Sequence, residues 1–152
     1  MLQRIQSVYL FAVFTLFVLM FQFPIVELIS AGSEFYILKY RAVMNPETGK
    51  IAVSAFPLAY LLLIIALIAM ANIFMYKKRV WQMRVSILNA VLMAGSLVLI
   101  GYYSFKGAQM LDADLNISFP VLFPVVGLIL NILAIGAIRK DENLVRSVDR
   151  IR

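Results

Sequence analysis

Cysteine and histidine are both absent from this 152-residue chain. Their absence excludes a disulfide bracing an exported loop, thiol or iron–sulfur chemistry, protein-ligated haem b and a typical zinc site. Charge is scarce as well: fourteen basic and eight acidic residues make up 14% of the chain, against 63% hydrophobic residues. With no low-complexity tract, this composition fits neither disorder nor an ordinary soluble domain. Residues 8–26, 55–76, 85–103 and 119–138 contain no Asp, Glu, Lys or Arg at all. Proton and cation relays place ionisable groups within the bilayer, and Ser54, Ser86 and Ser96 have neither a histidine nor an intramembrane acid to activate them. No catalytic, cofactor-binding or metal-ligating residue is nominated, and no enzymatic activity is expected.

What is present is four long apolar stretches. A helix rises about 1.5 Å per residue, so some twenty residues cross a hydrocarbon core of roughly 30 Å. Spans are predicted at 5–26, 54–76, 84–104 and 118–138, with loops at 27–53 and 105–117 and a tail at 139–152. The loops are too small for an independent domain, so residues 1–152 are read as a single integral membrane domain. No internal repeat relates the two halves, which disfavours an inverted-repeat transporter. The expected fold is all-α: a four-transmembrane-helix bundle with a small β-hairpin in the first exported loop and a basic amphipathic C-terminal helix.

The bases alternate in density from gap to gap. Arg4, then Lys77, Lys78, Arg79 and Arg84, then Arg139, Lys140, Arg146, Arg150 and Arg152 account for ten of the fourteen. The positive-inside preference therefore places both termini in the cytoplasm and loops 27–53 and 105–117 outside. This explains the net charge of +6 without nucleic acid, which is not an expected partner. The first apolar run exceeds a normal signal h-region and reads as an uncleaved signal anchor, and the lack of cysteine excludes lipoprotein attachment.

Within loop 27–53, residues 35–43 are aromatic and β-branched, residues 45–49 read Asn-Pro-Glu-Thr-Gly, and 51–53 are apolar again, which predicts strand, turn, strand. A lone hairpin is marginal in water, so it should lean on the membrane, on residues 111–118 or on another subunit. Capping its own bundle is the favoured role; offering the aromatic strand as a free edge is the alternative.

Three asparagines interrupt the spans. Asn72, Asn89 and Asn131 all fall in the predicted cytoplasmic half of their helices. Turned inward they would form one cluster, with bonds worth about 0.6 kcal/mol each on average, enough to set rotation and register. Interhelical glue is favoured over a quinone, lipid-headgroup or ion site, because no ionisable group accompanies them. Small residues recur on faces as packing seams: Ala55, Ala59, Ala66 and Ala69, then Ser86, Ala90, Ala94 and Gly101, then Gly127, Asn131 and Ala134. Phe11, Phe14, Phe17, Phe21 and Phe23 are read as bulk facing lipid or a neighbouring subunit. Pro120 is tolerated in a first turn, and Pro124 is a candidate kink. The connector with Lys77, Lys78, Arg79, Trp81 and Arg84 suits anionic headgroups. Should the fourth helix continue past residue 138, Leu144, Val148 and Ile151 share one face and Arg139, Arg146 and Arg150 the other, an amphipathic basic helix for the inner leaflet or a cytoplasmic partner.

The opening Met-Leu-Gln-Arg-Ile-Gln-Ser-Val-Tyr-Leu, the central Asn-Ile-Phe-Met-Tyr-Lys-Lys-Arg at 72–79 with Gln82 and Arg84, and the closing Ala-Ile-Arg-Lys-Asp-Glu-Asn-Leu-Val-Arg-Ser-Val-Asp-Arg-Ile-Arg at 137–152 resemble an uncharacterised family of small four-span inner-membrane proteins of the Bacteroidota. The resemblance runs end to end. It implies a Gram-negative inner membrane with the exported loops in the periplasm, and it implies no activity. The expected function is a non-enzymatic accessory or scaffold subunit of a larger inner-membrane complex, with membrane lipids and other subunits as partners. The alternative is a lipid- or quinone-binding protein with a pocket bounded by Pro124, Asn131, Asn89 and Asn72.

Overall fold

The computed structural model describes residues 3–30, 32, 34–76 and 78–149, and the side chains of these except 3, 4 and 144–149. Among them are four helices, α1 (Gln3–Leu19), α2 (Phe56–Phe74), α3 (Arg79–Leu111) and α4 (Leu122–Asp149), with a 3-10 turn at Phe119–Val121 leading into α4. The stretches Phe56–Phe74, Arg79–Leu111 and Phe119–Asn143 are long and apolar enough to cross a membrane; α1 is a shorter apolar helix of 17 residues. Helices α1 and α3 each pack against both α2 and α4, closing a four-membered ring. Their buried positions alternate in steps of three and four: Gln6, Leu10, Val13, Phe17 and Met20 on α1, Gln82, Ser86, Asn89, Met93, Ser96 and Ile100 on α3, Gly127, Asn131, Ala134, Ile138 and Asp141 on α4. That is the seam of helices packed at small crossing angles, ridges into grooves.

This seam corrects two expectations about faces. Phe17 turns inward and is fully buried, while Phe11 is exposed. Of the proposed small stripe on α3, Ser86 is buried but Ala94 and Gly101 are exposed, because the inward seam runs through Asn89, Met93 and Ser96 instead. Pro124 stands in the first turn of α4, where its missing N–H costs no hydrogen bond, so it is no mid-helix kink.

The strands depart furthest from expectation. In place of a hairpin there is a five-stranded antiparallel sheet ordered β4-β3-β2-β1-β5, from β1 (Val26–Ser30), β2 (Phe35–Lys39), β3 (Ala42–Met44), β4 (Ile51–Ser54) and β5 (Ala113–Ile117). The run predicted as one strand over 35–43 folds back at Tyr40–Arg41 into β2 and β3. Helix α1 stops at Leu19, short of the expected 26, since Pro24 cannot continue it and Val26 enters the sheet. Helix α3 runs beyond the expected span at both ends and stops at Asp112, whose φ of 45° ends the helical path. The turn at 45–49 is as expected: Asn45 Oδ1 accepts from the amides of Glu47 and Thr48 at 2.9 and 3.1 Å, and Gly49 takes a φ of 69°. The aromatic strand is interior, not an edge. Pairing β1 with β2 on one side and β5 on the other satisfies backbone groups that a lone hairpin leaves open. On β2 the Tyr36 hydroxyl donates to Glu34 at 2.7 Å, and that bond, with burial and the carboxylate's charge behind it, raises its pKa above the ordinary 10.0.

The sheet sits on the last turns of α3, where Gly107 permits close approach. A Cβ there would lie 3.2 Å from Val43 Cγ2 and 3.5 Å from Leu28 Cδ2. Gly107→Leu is expected to lift the sheet off the helix at a cost of about 1–3 kcal/mol. Hydrogen exchange should show lost protection in β1 and β3 while α1 and α2 stay protected.

Candidate functional site

The end of the bundle away from the sheet is where the buried polar side chains gather. Every helix contributes: Gln6 near the start of α1, Asn72 in the last turn of α2, Gln82, Ser86 and Asn89 in the first turns of α3, and Asn131 before the middle of α4, each at most 4% exposed. Ser86 is the hub. Asn72 Nδ2 donates to Ser86 Oγ at 2.7 Å, and Asn131 Nδ2 donates to the Ser86 carbonyl at 2.8 Å. Gln82 Nε2 donates to the Asn72 carbonyl at 3.1 Å. That carbonyl already accepts from the Met75 amide at 3.2 Å just past the end of α2, and the glutamine adds a second bond from the next helix. Three helices are thereby held in register by side chains that the apolar seam cannot distinguish.

Of the three asparagines expected to cluster, Asn72 and Asn131 meet through Ser86. Asn89 lies on the same stripe one turn further along, and neither its Oδ1 nor its Nδ2 has a partner. Gln82 is joined to the cluster and Gln6 is buried near the start of α1; both were missed, and the signal for them was their position four residues before Leu10 and Ser86, on the inward seam.

Beyond the layer the seam continues past the expected end of the fourth span. Arg79 Nε lies 3.0 Å from Asp141 Oδ2, joining the first residue of α3 to α4, with side chains 21% and 12% exposed. A groove of about 220 Å³ beside this pair is lined by Arg79, Val80, Met83, Ile138, Arg139 and Glu142, together with Asn143. Lys78, Arg84 and Arg139 are exposed, and the Arg84 guanidinium lies 5.6 Å from the centre of the Trp81 ring. Lys77, Arg150 and Ile151 lie outside the described residues, as do the side chains of Leu144, Arg146 and Val148, although α4 continues unbroken through the last three. The tail is thus an extension of α4 as far as Asp149. Truncating Arg79 to Ala is expected to destabilise more than Asp141→Ala. The long cation can reach water when unpaired, whereas the carboxylate, nine-tenths buried, cannot. Thermal unfolding of both variants and the double variant in detergent gives the coupling.

The fold and its polar layer define a class: a small apolar helical bundle of the membrane-compatible kind, capped by an antiparallel sheet. The chain belongs to the family described as a domain of unknown function, DUF4293, whose match covers residues 2–151. It matches no curated protein.

Proposed function

We propose that this chain is a four-span bacterial inner-membrane protein with both termini in the cytoplasm, and that it serves as a non-enzymatic accessory or scaffold subunit of a larger assembly. For α1 as the fourth span, 17 residues give a rod of about 25 Å, at the short end of what crosses. For the orientation, Lys78, Arg79, Arg84, Arg139 and Lys140 all belong to the end away from the sheet, the positive-inside arrangement. The basic connector and tail then meet anionic lipid headgroups or a cytoplasmic partner.

The observation that carries the subunit reading is the outer edge of the sheet. Strand β5 is paired on one side, with β1, and its Leu115 and Ile117 are 47% and 73% exposed; Phe119 just beyond is 73% exposed. An open strand edge carrying large apolar side chains is a template for another chain. The hydrogen bonds of Asn72, Gln82 and Asn131, by contrast, run from helix to helix, as structural glue does.

A photo-crosslinking side chain at Ile117, activated in native membranes, is expected to trap one stoichiometric protein, a product that an added Leu115→Lys abolishes, while the same probe at Val98 on α3 traps lipid. A chain that stays uncrosslinked and monomeric in mild detergent would remove the proposal. Because the chain has no cysteine, topology is read with one introduced at a time. Gly49→Cys should react with an impermeant maleimide outside spheroplasts and Lys140→Cys only after lysis; the reverse result reverses the orientation.

A further inference from the structure

The polar end of the core contains more hydrogen-bonding capacity than the protein itself uses. Four side-chain carbonyl oxygens, on Asn72, Gln82, Asn89 and Asn131, have no partner, and neither have the amide groups of Asn89 and Gln6. These residues are at most 4% exposed. Asn72 and Asn131 are both within hydrogen-bond distance of Ser86, Gln82 is bonded to the Asn72 carbonyl, and Asn89 follows Ser86 by one turn on the same inward stripe, so these open atoms belong to one neighbourhood. A buried polar atom without a partner bears its full desolvation cost, and five of these six lie on the joined or neighbouring residues of α2, α3 and α4.

We infer that this layer is a binding site for internal water, a cluster of about two molecules bridging α2, α3 and α4 and reached by Gln6 from α1. Three features select the guest. It is small, because residues this deeply buried leave no path wide enough for a quinone ring or a lipid headgroup. It is neutral: Arg79, one turn before Gln82 on α3, is already paired with Asp141, so the pair supplies no uncompensated charge to the layer. It donates at least as much as it accepts, since four open oxygens face two open amide groups. Two waters supply four donors and accept from both amides, whereas a metal cation would satisfy the oxygens and face the amide hydrogens repulsively. On the other half of the seam Val13, Phe17, Leu62 and Met93 are fully buried and Ser96 spends its hydroxyl on the Met93 carbonyl, so exchange with bulk solvent runs through the basic end.

The test uses the full-length, 15N-labelled protein in nanodiscs. Water-selective NOE spectra should show cross-peaks from water to the side-chain NH2 groups of Asn89 and Gln6, and none to the backbone amides of Phe17, Leu62 and Met93. Absence of the Asn89 cross-peak, or its replacement by cross-peaks to lipid protons, overturns the inference. Asn89→Leu provides the second reading: a water-bridged amide makes the variant melt several degrees lower, while a bare amide makes it melt higher, and a higher midpoint overturns the inference as well.

Discussion

Gly127→Leu is expected to be among the most damaging single substitutions in the bundle. A Cβ at this position would stand 2.9 Å from Cε2 of Phe17, with two further ring atoms at 3.7 and 3.9 Å. The ring has nowhere to retreat, since Phe17 is fully buried on the α1 seam between α2 and α4. Added methylenes in a packed seam cost about 1–3 kcal/mol, and a whole isobutyl group pressed against a walled ring belongs at the upper end. Phe17→Ala alone should cost about 3–5 kcal/mol through the cavity it opens. Because the two side chains would compete for one volume, the double variant should cost clearly less than the sum, a coupling read from SDS or thermal unfolding midpoints in detergent. Strict additivity would mean that α1 and α4 do not meet at this point.

The second large effect is expected at Ser86. Ser86→Ala removes the oxygen that accepts from Asn72 but leaves the backbone carbonyl that accepts from Asn131, so its cost should be near the 0.6 kcal/mol average for such bonds, about that and no more. Ser86→Leu differs in kind. Like the alanine it takes the acceptor from the Asn72 amide, but it also forces three extra carbons between α2, α3 and α4 at a fully buried site. Overpacking adds about 1–3 kcal/mol to the lost hydrogen bond that the two variants share, so the leucine should lower the unfolding midpoint far more than the alanine. Equal midpoints for the two variants would show that Ser86 does not sit at the junction of the three helices.

The polar layer was half legible in the chain. Asn72, Asn89 and Asn131 stood out because amides are conspicuous in uncharged runs, and all three fall in the halves of those runs nearer the basic gaps. Gln82 sits among charged residues of the connector and Gln6 near the start of the chain, where nothing in composition marks a glutamine as buried. Their places on the alternating three-and-four seam were the usable signal. Partner identity was not legible at all: Asn131 binds a backbone carbonyl and Gln82 another, and backbone acceptors are the same at every residue.

Local sequence did less well with the segments that form the sheet. The turn at 45–49 was readable because Asn and Gly have specific backbone roles. The fold-back at Tyr40–Arg41 carries neither Gly nor Pro and stayed hidden inside a β-branched and aromatic run. Strand β5, with Asp114 and Asn116 between Ala113, Leu115 and Ile117, becomes a strand by pairing with β1, eighty-odd residues away.

The amino-acid order alone determined that this chain has four apolar blocks, which of its ends are basic, and that its interior contains amides but few charges, because transfer energies of side chains are local and additive. Tertiary structure alone decided which face of each helix turns inward, that Phe17 is core, and that Ser86 joins three helices. It also decided that two distant loops make one sheet. Those outcomes depend on contacts between segments far apart in the chain, whose energies exist only once the segments have met.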